Sequence, residues 1–400
     1  MSEDRNKLTL RVGGQVFGGW TAVRIKHSIE QIAGTFDISY TERWPGQTDG
    51  WVIPAGEACE VRIGEHVVIT GYVDKTALSY DGASHTIRVT GRDRTGDLVD
   101  CSAPSQAFSG MTFKQLAEAL CKPFGIAVYD ETVDEKKLTV SQKKLGKKGT
   151  PPKSKRVGGA LPKAACQNSE SVFRILQRLA KNEGVLLVSD AEGGLLLTRA
   201  GRAGTVPVPL ELGANILAAE YEHSQANLYS EITVKGQAAM QDADSAGGKF
   251  ENWMSPKHTV KGSSAAGSGG VRTGNSEITR YRPLIIVAEA QADARRVKQR
   301  AEWEASNREA KARTYKATVQ GWYPGADDGD IWRINSLVRV KDVWARIDED
   351  WLLAAVEFNL DAAGSRCSLE LTSPKAFEEL PELPKPPAGA TATSGKMEKW

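Results

Sequence analysis

The feature that constrains this chain most is the recurrence of period-two alternation. Apolar and polar residues alternate over 8–12, 22–29, 36–44, 59–63, 67–73 and 85–91, six short runs within the first hundred residues. Such alternation puts one set of side chains on one face of a pleated strand, and six runs so close in sequence predict a small barrel or sandwich. Between the last two runs, Asp81-Gly82 supplies a turn pair that tolerates positive φ. The pattern returns after residue 210, over 216–222, 229–235, 315–322, 336–343, 351–360 and 367–372. Two all-β blocks therefore bracket the chain, and 400 residues leave room for another unit between them.

That middle block, 105–210, changes period. Thr112 followed three residues later by Gln115 forms a capping-box pattern, and Phe113, Leu116, Ala117, Leu120 and Phe124 make one apolar stripe that Gly125 ends. A second helix is predicted over 169–182, with Phe173, Leu176, Leu179 and Ala180 inside and Gly184 as its stop. A hairpin, 185–189 with 195–199, completes an α+β module. Within the last block, Pro283 is read as the start of a long crossing helix over 284–312. Ala290, Ala294, Val297, Ala301 and Ala305 share its inner face, and Glu304 and Arg308 pair outside. The predicted fold is mainly β with α+β. Two similar small tube-type β-barrel domains, 1–104 and 211–375, flank the middle domain 105–210. The second barrel is interrupted by a flexible Gly/Ser/Ala-rich excursion, 238–276, and by the helix. A disordered tail, 376–400, carries Pro381, Pro384, Pro386 and Pro387.

Composition narrows function by exclusion. With 52 Lys plus Arg against 50 Asp plus Glu, the formal net charge is +2, which argues against a dedicated DNA coat. No run approaches the ~18 apolar residues of a membrane helix, and no apolar core follows Met1, so neither membrane insertion nor a secretory signal is predicted. Cys59, Cys101, Cys121, Cys166 and Cys367 lie far apart without a C-x-x-C pair, as expected of reduced thiols. There is no P-loop, G-x-G-x-x-G after a strand, H-E-x-x-H or G-x-S-x-G, and the five histidines are scattered. Asp327-Asp328-Gly329-Asp330 lacks the alternating oxygen ligands of a calcium loop and reads as a turn. Trp44, Trp51, Trp322, Trp332 and Trp351 fall near strand ends and read as core packing. No catalytic residue, cofactor or metal site is predicted.

The one charge anomaly runs from Lys136 to Lys163, with ten basic residues and no acidic one. Its Lys143, Lys144, Lys147, Lys148, Lys153, Lys155 and Arg156 are the candidates for contact with a charged partner. Aromatic residues do not interleave with them, so base stacking is unsupported and a solvated loop is the plainer reading.

Several segments then line up with a known family. Gly71-Tyr72-Val73, the run from His85 to Gly91-Arg92-Asp93, and Asp97-Leu98-Val99-Asp100 resemble the end of the first barrel of Mu-like phage baseplate hub proteins. Ser171-Val172-Phe173 with Leu179-Ala180 and Gly184 is similar to that family's middle domain. Tyr281-Arg282-Pro283-Leu284, Ala301-Glu302-Trp303-Glu304-Ala305 with Arg308, Gly321-Trp322 and Trp332 are similar to its second barrel. The resemblance spans about residues 5 to 378 and rests on order and combination. It implies a structural, non-enzymatic hub of a contractile tail, related in fold to T-even phage hubs and to the base of type VI secretion spikes. In such a hub, a homotrimer's six barrels form a ring between the tail tube and the central spike, through which DNA passes as cargo during ejection. The implied partners are the tail tube and spike proteins, with tape measure and baseplate wedge proteins also in reach. The implied location is the virion's tail baseplate, after assembly in the host cytoplasm. The alternatives left open are a type VI spike, a tail-associated cell-wall-degrading enzyme and a carbohydrate- or nucleic-acid-binding module.

Overall fold

The computed structural model describes residues 5–42, 53–81, 85–104, 107–108, 110–132, 164–165, 169–183, 185–237, 257–261, 278–291, 294–325 and 329–374. Gly82, the basic strip 136–163, most of 238–276, Asp327, Asp328, Trp44, Trp51 and the tail 376–400 lie outside them.

Among the described residues seven strands occupy the first block: β1 (Leu8–Val12), β2 (Gln15–Phe17), β3 (Ala22–Ser28), β4 (Thr35–Glu42), β5 (Ala58–Ile63), β6 (His66–Tyr80) and β7 (His85–Asp93). The alternation holds, with Cys59, Val61 and Ile63 of β5 and Phe36 and Ile38 of β4 all buried. After a short helix α1 (Gly96–Asp100) and strand β8 (Ala107–Phe108), helix α2 (Phe113–Cys121) begins at the Thr112–Gln115 capping box, both halves of which form. A 3-10 turn carries the chain to Phe124, and Gly125 takes φ 66° to leave it. Strands β9 (Val128–Asp130) and β10 (Ala164–Ala165), helix α3 (Val172–Glu183), and the hairpin β11 (Leu186–Ser189) and β12 (Leu195–Thr198) follow. Here α2 and α3 bury Leu116, Leu120, Ile175, Leu176 and Leu179 in one core with Leu187, Leu195 and Leu197 of the hairpin.

The last block contains β13 (Leu210–Glu211), β14 (Ile216–His223), β15 (Glu231–Gln237), β16 (Lys257–Lys261), β17 (Pro283–Gln291), helix α4 (Ala294–Lys311), β18 (Arg313–Gln320), β19 (Leu337–Asp342), β20 (Ile347–Asp361) and β21 (Gly364–Thr372). Two expectations are corrected here. The helix predicted over 284–312 is a strand as far as Gln291, because β-branched Ile285, Ile286 and Val287 suit a pleated surface and Pro283 is admissible as the first residue of a strand. The strand read over 229–235 leaves the main sheet: β15 pairs antiparallel with β16 and parallel with β17, and its Ile232 and Val234 pack on Ala301 and Ala305 of α4. Part of the presumed flexible excursion is therefore strand β16. Glu304 is also buried rather than outside, between Arg300 at 2.7 Å and Arg308 at 3.3 Å.

The first and last blocks were expected to be two similar small barrels. Their strands join in one 13-stranded sheet in the order β14-β18-β21-β20-β3-β4-β7-β6-β5-β1-β2, with β19 on β20 and β13 on β19. Among the described residues no pairing closes either block on itself. The reason is the length of β20. Its first half pairs with β19, and past residue 353 the same edge is handed to β3, with Phe358 opposite Ile25.

Within this sheet the architecture is duplicated. The series β3-β4-β7-β6-β5 recurs as β14-β18-β21-β20-β19. β5 and β19 have 6 residues each, β6 and β20 have 15, and β7 and β21 have 9. Both long strands shift register just past their middle, between Val73 and Lys75 and between Leu353 and Ala355. Just before the short strand, Gly56 (φ 88°) and Asn335 (φ 66°) occupy the same left-handed position. Gly56 donates its N–H to the Val73 carbonyl and Asn335 to that of Leu353.

Candidate functional site

No group of three or more His, Cys, Asp or Glu side chains that could hold a metal ion exists among the described residues. The candidates Lys143, Lys144, Lys147, Lys148, Lys153, Lys155 and Arg156 lie outside the described residues. Trp322, Trp332 and Trp351, read above as core packing, are all buried in the main core. Asp330 is exposed, with Arg333 3.4 Å away.

The polar side chains that the fold does concentrate sit where β7 runs into α1, in the Gly91-Arg92-Asp93 segment singled out above. Asp93 is buried, and its carboxylate accepts the Gly34 N–H at 2.6 Å, the Thr95 N–H at 3.0 Å and the Thr95 hydroxyl. Burial pushes its pKa above the ordinary carboxylate value, against the pull of these hydrogen bonds and of one from Ser189. Its partners come from the β3–β4 loop, from the start of α1 and from the hairpin, so one carboxylate ties the sheet to the middle unit. Neighbouring Arg92 donates to Asp74 at 2.8 Å and to Asp100 at 2.7 Å. Two shallow hollows of about 330 and 380 Å³ open beside it, both touching Asp74 and Arg92. A guanidinium already neutralised by two carboxylates and a carboxylate saturated with donors hold backbone in place; neither is set up to attack or protonate a substrate.

His27 is a partly buried ionisable group. Its ring Nε2 is sealed without a partner, and burial lowers its pKa to about 4. It lies on β3 opposite Val356 of β20, at the seam between the two blocks.

What the fold offers to the outside is strand edge. β14 ends the sheet and is exposed from Leu217 to His223. In the first block, β6 is exposed at Asp74, Lys75, Leu78, Ser79 and Tyr80, beyond the part that β5 covers. Unpaired edges carrying apolar side chains invite pairing with another chain. In sequence these residues look like ordinary strand interior, and only the sheet order reveals that among the described residues no strand pairs with these edges.

Comparison with known proteins identifies relatives of the chain. Residues 7–93 match the family model described as Mu phage baseplate assembly protein GpP-like, N-terminal. Residues 95–149 and 153–199 match baseplate hub protein gp44-like, second domain, and residues 293–381 match Mu phage baseplate assembly protein GpP, fourth domain. The baseplate hub protein gp44 of Escherichia phage Mu is 33% identical over 337 residues, covering 84% of this chain and 79% of that protein. The 43 kDa tail protein of prophage MuSo2 from Shewanella oneidensis superposes with a TM-score of 0.76 at 35% identity, over 93% of this chain and all of that one. A likeness of fold alone, with a TM-score of 0.50 at 9% identity, extends over 90% of this chain and 76% of the E. coli c3393 protein. That protein is a type VI secretion component described as similar to the T4 tail proteins gp27 and gp5.

Proposed function

Because this chain belongs to the Mu-type phage baseplate hub family, we propose that it works as a homotrimer whose six sheet units form a pseudo-sixfold ring joining the tail tube to the central spike. As a baseplate hub it is a structural protein of the phage tail. The observation that carries the ring is the duplication. Each chain holds two copies of one five-stranded series, already joined edge to edge through β20 and β3. Three chains then supply six equivalent units, the number that a sixfold tube presents, while the assembly keeps the threefold symmetry of a spike.

In this reading the domain division near residues 104 and 210 separates the first ring unit, the middle unit and the second ring unit. The small sheet β16-β15-β17 with α4 is an insertion into the last of these. The partners are the tube and spike proteins, with tape measure and wedge proteins adjacent. DNA crosses the ring only as cargo, and assembly takes place in the host cytoplasm before the hub reaches the virion baseplate. The basic strip with Lys143, Lys144, Lys147, Lys148, Lys153, Lys155 and Arg156 supplies a charge-driven contact with one of these partners.

Light scattering coupled to gel filtration tests the trimer: the expected mass is three times 43.3 kDa. Electron cryo-microscopy of the intact tail should place three copies on its axis. Six copies, or a position off the axis, would overturn the proposal.

A further inference from the structure

We propose that the ring closes by β-strand addition between copies: the exposed edge strand β14 of one chain pairs antiparallel with the second half of β6 in the next, with Tyr221 opposite Leu78. This deepens the ring reading and rests on it. The template for the joint is inside the chain itself. In the duplicated series β14 corresponds to β3 and β6 to β20, and β3 and β20 are already paired.

The correspondence can be followed residue by residue. The register shifts in the two long strands equate Lys75 with Ala355, Thr76 with Val356, Leu78 with Phe358 and Tyr80 with Leu360. The ladders through β7 and β21 equate Phe36 with Tyr315, since these face Gly91 and Leu371, the partners of Val73 and Leu353. Their outer neighbours, Ile25 and Tyr221, are then equivalent, and so are Val23 and Ala219, and His27 and His223. Carrying the observed β20–β3 register across puts Leu78 opposite Tyr221, Thr76 opposite His223, Ala77 opposite Glu222 and Tyr80 opposite Ala219 of the second copy.

Burial shows which of the two joints is complete. Phe358 and Ile25, the pair at the internal joint, are both 0% exposed. Their counterparts Leu78 and Tyr221 are 61% and 39% exposed, and Tyr80 and Leu217 on the same two strands are 80% and 56% exposed. Leu78 and Tyr221 thus occupy positions that are core at the internal joint and lie open among the described residues of the single chain. The Tyr221 ring already stands edge-on to buried Trp351, with centroids 6.4 Å apart, so a strand laid against β14 would seal an existing core. Lys75 and Glu222 share one face of the new ladder on a diagonal, as opposite charges. Gly56 and Asn335 interrupt the two short-strand ladders at equivalent points; beyond Gly56 the Ile53 carbonyl still accepts the Thr76 hydroxyl at 2.6 Å, but among the described residues no strand pairs its backbone with the outer edge of β6 from Lys75 to Tyr80.

The test is a paired-cysteine variant, Leu78→Cys with Tyr221→Cys, in a full-length background where Cys101 and Cys166 are Ser. Directly opposed residues of an antiparallel pair have Cα atoms about 4.5–5.5 Å apart, within the range of about 4.4–6.8 Å that a disulfide spans. Mild oxidation should give covalent dimers and closed trimers on a denaturing gel. Either single variant should stay at monomer mass, as should Leu78→Cys with Glu220→Cys, whose second position faces the other side of the sheet. Trimeric mass by light scattering without the cross-link, or with equal cross-linking of the Glu220 control, would refute the pairing and leave the ring standing. A chain that remains monomeric at the highest attainable concentration and gives no cross-link would refute both.

Discussion

His27 makes the seam between the two halves of the sheet sensitive to acid. Its Nε2 is sealed without a partner, and a Cβ on Gly34 would stand 2.7 Å from its ring, so the imidazole is tightly packed on that side. The folded state holds the group neutral down to about pH 4, whereas the unfolded chain takes the proton near the ordinary 6.5. Because the folded pKa is depressed, this contribution to stability is present above pH 6.5 and is lost as pH falls toward 4. At about 1.4 kcal/mol per pH unit, the whole window spans about 3 kcal/mol, of which about 2 kcal/mol is lost by pH 5. Asp93 works in the opposite direction, since a raised carboxyl pKa adds stability as pH falls through it. The useful quantity is therefore the difference between wild type and His27→Phe, which removes only the histidine. Urea unfolding followed by the fluorescence of the buried tryptophans, at pH 8 and pH 5, measures it. Relative to wild type, the variant should gain about 2 kcal/mol on going to pH 5. Parallel losses in the two proteins would show that His27 is solvated or paired, and the argument would fail.

Asp93→Ala leaves the buried Gly34 and Thr95 amides without their acceptor and should cost about 3 kcal/mol in chemical denaturation, where a loss below 1 would show that water replaces the carboxylate. Thr112→Ala removes one side of the capping box of α2 and should cost about 1 kcal/mol, read as a lower melting temperature with the circular dichroism spectrum kept. Changing Lys143, Lys144, Lys147 and Lys148 together to Gln should leave folding and melting temperature unaltered while weakening partner binding at low salt; failure to fold would make the strip structural.

What was legible in the sequence was what is decided locally. The Thr112–Gln115 box, the α2 stripe and the hairpin through Asp190 to Gly194 each depend on residues a few positions apart, and each forms as expected. Pro283 misled because proline opens helices and strands alike. The decisive signal was Ile285-Ile286-Val287, whose β-branching favours strand, while the alanine spacing true of Ala301 and Ala305 was extended too far back. The joining of the two blocks could not be read at all. It depends on which strand takes the far edge of β20, and alternation specifies the faces of a strand but not its neighbours. The Asp93 network was visible only as a family resemblance, because its donors at Gly34, Thr95 and Ser189 converge from three parts of the chain. The edges that the joint uses were hidden for a related reason, since Leu78 and Tyr221 have the composition of core but are exposed, with no strand paired to their edges among the described residues.

The β20–β3 seam also sets a timetable for synthesis. Arg24 and Glu357, 3.0 Å apart across it, are separated by 333 residues, so β3 leaves the ribosome long before its partner exists. At about 5–20 residues per second, the nascent chain waits on the order of tens of seconds with that edge uncovered. Until then β4 is the only strand that can hold β3, and any β20 within reach, including one from a chain ahead on the same polysome, offers the same ladder. Exchange of β20 between neighbouring nascent chains is thus the misassembly that this seam invites, and a strand translated late completes the edge of one translated early.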